Sequence, residues 1–254
     1  MSNYALIFFF YAISFSAMAG DKPKIVIIID DMGYQLTTGN AALNLPKAVT
    51  MAFLPRAPHT DQLFKTAVAR GYTLMLHQPM ESINHSQLDQ GGITLEMTDE
   101  EIKQTLLENL KRLPQVVGLN NHMGSRLTQY DRPMHDIMNV VQKVGSLLFI
   151  DSRTTILSVA DEIAKEKGIP SRKRDIFLDN QIDSHKIEAQ LDKLIKIAKR
   201  QGSAIAIGHP YPETIAVLAK RLPMIKEVEL VSIKALLSEG IQHEKSLSTL
   251  SPGL

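Results

Sequence analysis

The sequence predicts an α/β fold, a closed or nearly closed (β/α) barrel of seven or eight parallel strands, on three observations. Short apolar, β-branched runs alternate with amphipathic stretches of helical period, the pattern of repeated βα units. The first run, Lys24-Ile25-Val26-Ile27-Ile28-Ile29, is apolar on both faces, as a parallel strand covered by helices on one side and core on the other must be. Seven or eight such units in a chain of 254 residues match the size of one barrel. An open doubly wound sheet is the alternative, but no Gly-x-Gly-x-x-Gly and no phosphate-loop motif follows any run, which removes the usual support for nucleotide binding.

In chain order, Tyr4 to Met18 are almost wholly apolar, Ala17-Met18-Ala19 puts small residues where a signal peptidase reads, and polar Gly20-Asp21-Lys22 follows. Residues 1–19 are therefore expected to be a secretory signal peptide, cleaved after Ala19, making the protein exported and periplasmic. The leader has no Lys or Arg, so an uncleaved anchor is the other reading, although the stretch is short for a bilayer span. Residues 20–240 are expected to form one barrel domain and residues 241–254, rich in Ser, a flexible tail. Strands are expected at residues 24–30, 48–54, 72–76, 116–120, 147–150, 175–178, 203–208 and 228–232. A helix is predicted near 98–112, where Thr98 and Glu101 form a capping box, Ile102, Leu106, Leu110 and Leu113 share a face, and Pro114 stops it. Another is predicted over 184–201, with Ile187, Leu191, Leu194, Ile195 and Ala198 on one stripe. The irregular stretch 78–97, with Gly91-Gly92, is long enough to lie over the site as a loop.

Composition narrows the function classes. The net charge is +1 with charges spread along the chain, which gives no argument for nucleic acid. Absence of cysteine excludes disulfides, thiolate metal sites and cysteine nucleophiles. After the leader, no stretch is apolar for long enough to cross a membrane. Aromatics are 6% and tryptophan is absent, so a short oligosaccharide or chain end suits the site better than a broad stacking platform.

The chemistry lies at the ends of the apolar runs. Asp30 and Asp31 follow the first, His77 another, Asn120-Asn121-His122 a third, Asp151-Ser152 a fourth and Gly208-His209 a fifth. In a barrel these converge on the C-terminal face, where such folds carry their sites. Two neutral imidazoles and a carboxylate suit one divalent metal of the zinc type, leaving a position for water; a second carboxylate can accept a proton and a further histidine can donate one. A lone Asp after a strand is usually a cap or turn former, and Asp151 fits that role as well as a supporting one. A cap accounts for one of Asp30 and Asp31 but not both, since burying an unpaired charge is costly. His59, His85, His135, His185 and His243 sit in polar or helical contexts and read as surface.

Ile28-Ile29-Asp30-Asp31-Met32-Gly33, Leu76-His77-Gln78-Pro79-Met80-Glu81, Gly118-Leu119-Asn120-Asn121-His122-Met123-Gly124-Ser125, Asp151-Ser152-x-Thr154 and Ile207-Gly208-His209-Pro210 together resemble the divergent polysaccharide deacetylase family, a branch of the carbohydrate deacetylase superfamily with a NodB-like distorted barrel. The resemblance spans about residues 22–238. It implies a metal-dependent hydrolase that removes acetyl groups from an N-acetylated polysaccharide or oligosaccharide of the envelope. It also implies Asp30 as general base, Asp31 as metal carboxylate and His209 as general acid. Ordinary deacetylases carry both metal histidines in one His-x-x-x-His segment, whereas here Glu81 stands at that spacing from His77. His122 is expected to be the second histidine ligand, with Glu81 the alternative, while Asn121, Arg126, Asp151 and Ser152 are expected to orient carboxylates or substrate. That departure keeps a second reading open, a catalytically silent envelope protein binding a glycan or a cell-wall protein. A glycosidase pairing Asp30 with Asp151 ranks last, because it leaves the histidines without a task.

Overall fold

The computed structural model describes residues 22–238; the expected signal peptide at 1–19 and tail at 241–254 lie outside the described residues. Nine strands and seven α-helices alternate: β1 Lys24–Met32, α1 Leu36–Ala42, β2 Thr50–Phe53, α2 Thr60–Ala69, β3 Leu74–Met80, α3 Asp99–Arg112, β4 Gly118–Met123, α4 Asp131–Val144, β5 Leu148–Asp151, α5 Ala160–Glu166, β6 Ser171–Lys173, β7 Ile176–Phe177, α6 Ser184–Gln201, β8 Ser203–Gly208, α7 Pro212–Arg221 and β9 Glu229–Leu230. All pairings are parallel, in the order β6-β5-β4-β3-β2-β1-β8-β7, with β9 beside the start of β1. The sheet curls into the predicted distorted barrel. It stays unpaired between β6 and β7, where the chain itself crosses: Arg174 N–H donates to the Asp151 carbonyl on β5 and Asp175 N–H to the Ile205 carbonyl on β8.

Strand alternation sorts side chains into two layers. Ile25, Ile27 and Ile29 of β1 pack outward with Leu63, Leu106, Leu191 and Leu194 of the helices. Val26 and Ile28 point inward and meet Ala52, Met75, Leu148, Ile150, Ile205 and Ile207 in a plug that fills the barrel. Each fully buried aliphatic side chain contributes about 1.5–3 kcal/mol. Continuing the inward register one step beyond the plug puts Asp30, His77, Ser152 and His209 on top of it, and Asn120 joins them from β4.

α3 and α6 fall where periodicity placed them. Thr98 and Glu101 cap α3 reciprocally, and Asp183 caps α6 at its N-terminus, with left-handed Gly202 closing its C-terminus. Two expectations need correction. β3 runs on to Met80, so Gln78, Pro79 and Met80 are strand rather than loop, pairing with Asn121, His122 and Met123. Proline is tolerated there because β2 ends at Phe53, opposite Leu76, so no strand of the sheet requires a donor from the Pro79 nitrogen on the far side of β3. β6, Ser171-Arg172-Lys173, was missed because it carries no apolar run and pairs with β5 alone.

Candidate metal centre and catalytic face

Adjacent residues of a regular strand point to opposite faces, so Asp30 and Asp31 cannot both reach the site from an ideal β1. The structure resolves this with a β-bulge: Ile29 pairs with Met51 and Met32 with Phe53, so β1 carries one extra residue. Asp31 takes φ 56° within it. Asp30 keeps the inward register, and the bulge turns Asp31 toward the same end of the barrel. Met123 (φ 51°) after His122 and Arg153 (φ 51°) after β5 are also left-handed. Such non-glycine conformations cost about 1–3 kcal/mol each and concentrate at functional sites.

Asp31, His77 and His122 form a cluster able to hold a metal ion. Asp31 Oδ1 lies 3.2 Å from His77 Nε2 and 2.9 Å from His122 Nδ1, and the two nitrogens are 3.2 Å apart. A tetrahedral ion with bonds of about 2.0–2.1 Å sets its ligand atoms about 3.3 Å apart, so this triangle fits one face of such a shell. Asp31 Oδ1 is buried and faces the two imidazole nitrogens, as a metal-facing oxygen would. Burial works to raise the Asp31 pKa, but hydrogen bonds and charge from His122 and His77 hold it far below the usual carboxylate range. Burial pulls the His122 pKa down, and Asp31 and Asp89 overcome this and lift it to about 9. A divalent cation competes with that proton, so binding releases it.

Asp30, 2% exposed, is 3.6 Å from His77 Nε2 through Oδ2. Burial raises its pKa against the opposing pull of His77, His209 and Asn120. His209 lies across the cluster, its Nε2 3.9 Å from Asp31 Oδ2. Burial works to lower its pKa, but the Asp179 hydrogen bond and the surrounding carboxylates raise it.

The residues that hold this set in place were mostly missed by sequence reasoning. Asn120 Oδ1 lies 2.9 Å from His77 Nδ1, and its Nδ2 donates to both Asp30 oxygens, at 2.8 and 3.0 Å. The donor end of the amide is committed to a carboxylate, so Oδ1 accepts from His77 Nδ1–H and leaves Nε2 bare toward the cluster. Asp179 takes the His209 ring at 2.9 Å, the His209 backbone N–H at 2.6 Å and Thr214 Oγ1 at 2.8 Å. Arg174 donates to the carbonyls of Ser152 and Arg153 and lies over Phe177. Asp89 and Tyr34 reach His122 from outside the barrel. The signal for Asn120 was its strand-end position beside His122, and Asp179 directly follows the strand expected at 175–178; Asp89 follows no comparable pattern.

The remaining predicted site residues take other places. Glu81 pairs with Arg126 and accepts from Leu95 N–H, so neither joins the metal cluster. Asn121 bridges strand ends, accepting from Ser152 N–H and donating to the Met123 carbonyl. Ser152 Oγ accepts from Asn120. Asp151 follows Phe149, which packs in the outer layer, and its Oδ1 caps Arg153 N–H. It is a turn former there, and the paired-carboxylate reading loses its second acid. Asp30, His77, His122, Arg174, Phe177 and His209 line a cleft of about 470 Å³.

The profile of the divergent polysaccharide deacetylase family matches residues 27–237. An uncharacterized protein of Haemophilus influenzae is 36% identical over 213 residues, covering 84% of this chain and 76% of that protein. The uncharacterized protein YibQ of Escherichia coli is 34% identical over 229 residues, covering 90% and 70%. The crystal structure of the uncharacterized protein ATU2773 from Agrobacterium tumefaciens has the same fold, with a TM-score of 0.78 at 23% identity over 86% of this chain and 90% of that one. On the profile and the two relatives, the chain belongs to the divergent polysaccharide deacetylase family.

Proposed function

We propose that this protein is an exported, zinc-dependent deacetylase that removes N-acetyl groups from an envelope glycan. The observation that carries the reading is the convergence of Asp30, the Asp31–His77–His122 triangle and His209 on one end of the barrel, around a cleft of about 470 Å³, within the range of small-ligand sites. Among the described residues no helix is long and apolar enough to cross a membrane, and the expected leader at 1–19 supplies the case for export.

Asp31, His77 and His122 would hold the zinc, which would supply Lewis-acid chemistry: a water pKa of about 7 and a polarised carbonyl. Asp30, beside that group and raised in pKa by burial, accepts the proton of the attacking water. His209, whose cationic form Asp179 behind it favours, lies on the other side and donates to the departing amine nitrogen. Asp179 keeps Nδ1 protonated, so Nε2 carries the transferable proton. The Phe177 ring, 5.5 Å from that of His209, and the Tyr211 ring, 5.6 Å away, flank the cleft with apolar surface, suited to a sugar face or an acetyl methyl.

The test is acetate release from N-acetylated oligosaccharides together with zinc content. Asp30→Asn is expected to abolish release while keeping zinc, and His122→Ala to lose the zinc. Zinc retained by His122→Ala, or acetate released by Asp30→Asn at the wild-type rate, would reverse the roles. Zinc binding without turnover on any acetylated sugar would move the reading to a glycan-binding protein.

A further inference from the structure

Among the described residues, one acid touches the metal cluster from outside the barrel. Asp89 sits in the segment between β3 and α3, and its Oδ2 lies 3.2 Å from His122 Nε2. The same oxygen accepts the Tyr34 hydroxyl at 2.6 Å. We propose that Asp89, supported by Tyr34, is the positioning residue of the metal centre: it accepts a hydrogen bond from His122 Nε2–H, so that this histidine presents Nδ1 to the ion. The inference rests on the metal-site reading above.

The two histidines face the cluster through different nitrogens. His77 offers Nε2 because Asn120 takes its Nδ1 proton. His122 offers Nδ1, and nothing on β4 accepts from its Nε2. Left alone, neutral imidazole can carry its proton on either nitrogen, and the wrong tautomer would aim N–H at the metal. Asp89 supplies the missing acceptor in the form that metal-binding histidines require, a carboxylate behind the ring.

The segment carrying Asp89 is built to hold it there. Gln78 Nε2 donates to the Gly91 carbonyl at 2.9 Å, and buried Asn109 of α3 donates to it at 2.8 Å. Asn109 also donates to Gln78 Oε1, closing a buried amide pair around the loop. Gly91 has φ +80°, and a Cβ there would lie 2.6 Å from Asn109 Oδ1, so no other residue takes this path without displacing the clamp. Ile93 bridges to Met80, and Arg132 holds the Leu95 and Met97 carbonyls. Asp89 thus leaves a pinned stretch two residues before Gly91, and Tyr34 fixes it from the β1 side.

The experiment is a chelator-competition titration of zinc on wild-type protein and on Asp89→Ala, Asp89→Asn, Tyr34→Phe, His122→Ala and Gln87→Ala, the last an exposed residue of the same loop. Thermal melts check folding, and long-range ¹H–¹⁵N spectra of the histidine rings read the tautomer. Asp89→Ala is expected to weaken zinc by about 10–100-fold and to blur the Nε2–H signature of His122. Asp89→Asn, whose amide oxygen still accepts, is expected to recover most of the affinity, Tyr34→Phe to lose a few-fold, and Gln87→Ala to match wild type. Zinc affinity within twofold of wild type in Asp89→Ala and Tyr34→Phe, with binding lost in His122→Ala, overturns the proposal and leaves the metal site standing. Equal losses in Asp89→Ala and Gln87→Ala would assign the effect to the loop and overturn it too. No zinc on the wild-type protein overturns this inference and the metal-site reading together.

Discussion

Asn120→Ala removes a single buried side chain that touches both a histidine of the proposed metal site and the proposed base, and its consequences separate along three readouts. His77 Nδ1–H loses its acceptor at 2.9 Å, and a buried donor left unsatisfied costs about 1–3 kcal/mol. Asp30 loses donors at 2.8 and 3.0 Å, and a hydrogen bond to a charged group is worth about 1.5–3 kcal/mol. Together these amount to about 3–6 kcal/mol, a large part of a typical stability of about 5–15 kcal/mol. The melting temperature is expected to fall by about 6–24 °C, at about 2–4 °C per kcal/mol for a domain of this size. Zinc affinity is expected to drop about 10–100-fold, because His77 then has no fixed tautomer. The Asp30 pKa, which burial raises and Asn120 restrains, is expected to move further up in a ¹³C carboxyl titration, taking the acid limb of the rate profile with it. A lowered melt with zinc affinity within twofold of wild type would refute the reasoning, since it would make Asn120 a packing residue and nothing more.

Two further outcomes follow from the same geometry. Zinc at a hundred times its dissociation constant stabilises the folded state by about 2.7 kcal/mol, so adding it to chelator-treated protein is expected to raise the melting temperature by about 5–10 °C in wild type and by nothing measurable in His77→Ala; calorimetry distinguishes these. Asp179→Asn removes the charge that raises the His209 pKa; the cationic form is present below that pKa and lost as pH rises through it, so the alkaline limb of kcat is expected to move to lower pH, and an unmoved limb would take His209 out of the acid role.

The sequence made the scaffold legible because a parallel barrel writes itself in long signals. β1 is apolar at consecutive positions from Ile25 to Ile29, and α6 repeats its stripe over 18 residues. Strand-end polar residues were legible for the same reason: once the run stops, the next inward position is the site. What escaped depended on contacts rather than period. β6 is three polar residues held by one neighbour, and neither feature leaves a pattern in the chain. Asp179 and Asp89 reach the histidines at separations of 30 and 33 positions, from a strand end and from a loop. The bulge that brings Asp31 round is equally silent, since Asp30-Asp31 in sequence gives no hint that the strand carries an extra residue between Ile29 and Met32.

The departure from the His-x-x-x-His pattern has a spatial explanation that joins several of these contacts. Adjacent strands lie about 4.8 Å apart, so a histidine on the neighbouring strand can reach the same ion as one further along β3. The register sets His122 of β4 opposite Pro79, and the His77 and His122 rings stand 4.9 Å apart, nearly perpendicular. Glu81 lies outside the Asp31–His77–His122 cluster, and its carboxylate binds Arg126 and the Leu95 N–H instead, tying down the far end of the β3–α3 segment. That segment carries Asp89 to the outer nitrogen of His122. On the proposed reading, a ligand on β4 needs its own orienting partner, because Asn120 is already engaged with His77 and Asp30. On that reading His122, the anchored loop and Asp89 form one arrangement, and substituting Glu81 alone by histidine would add a ring just past the end of β3 without removing the reason for His122.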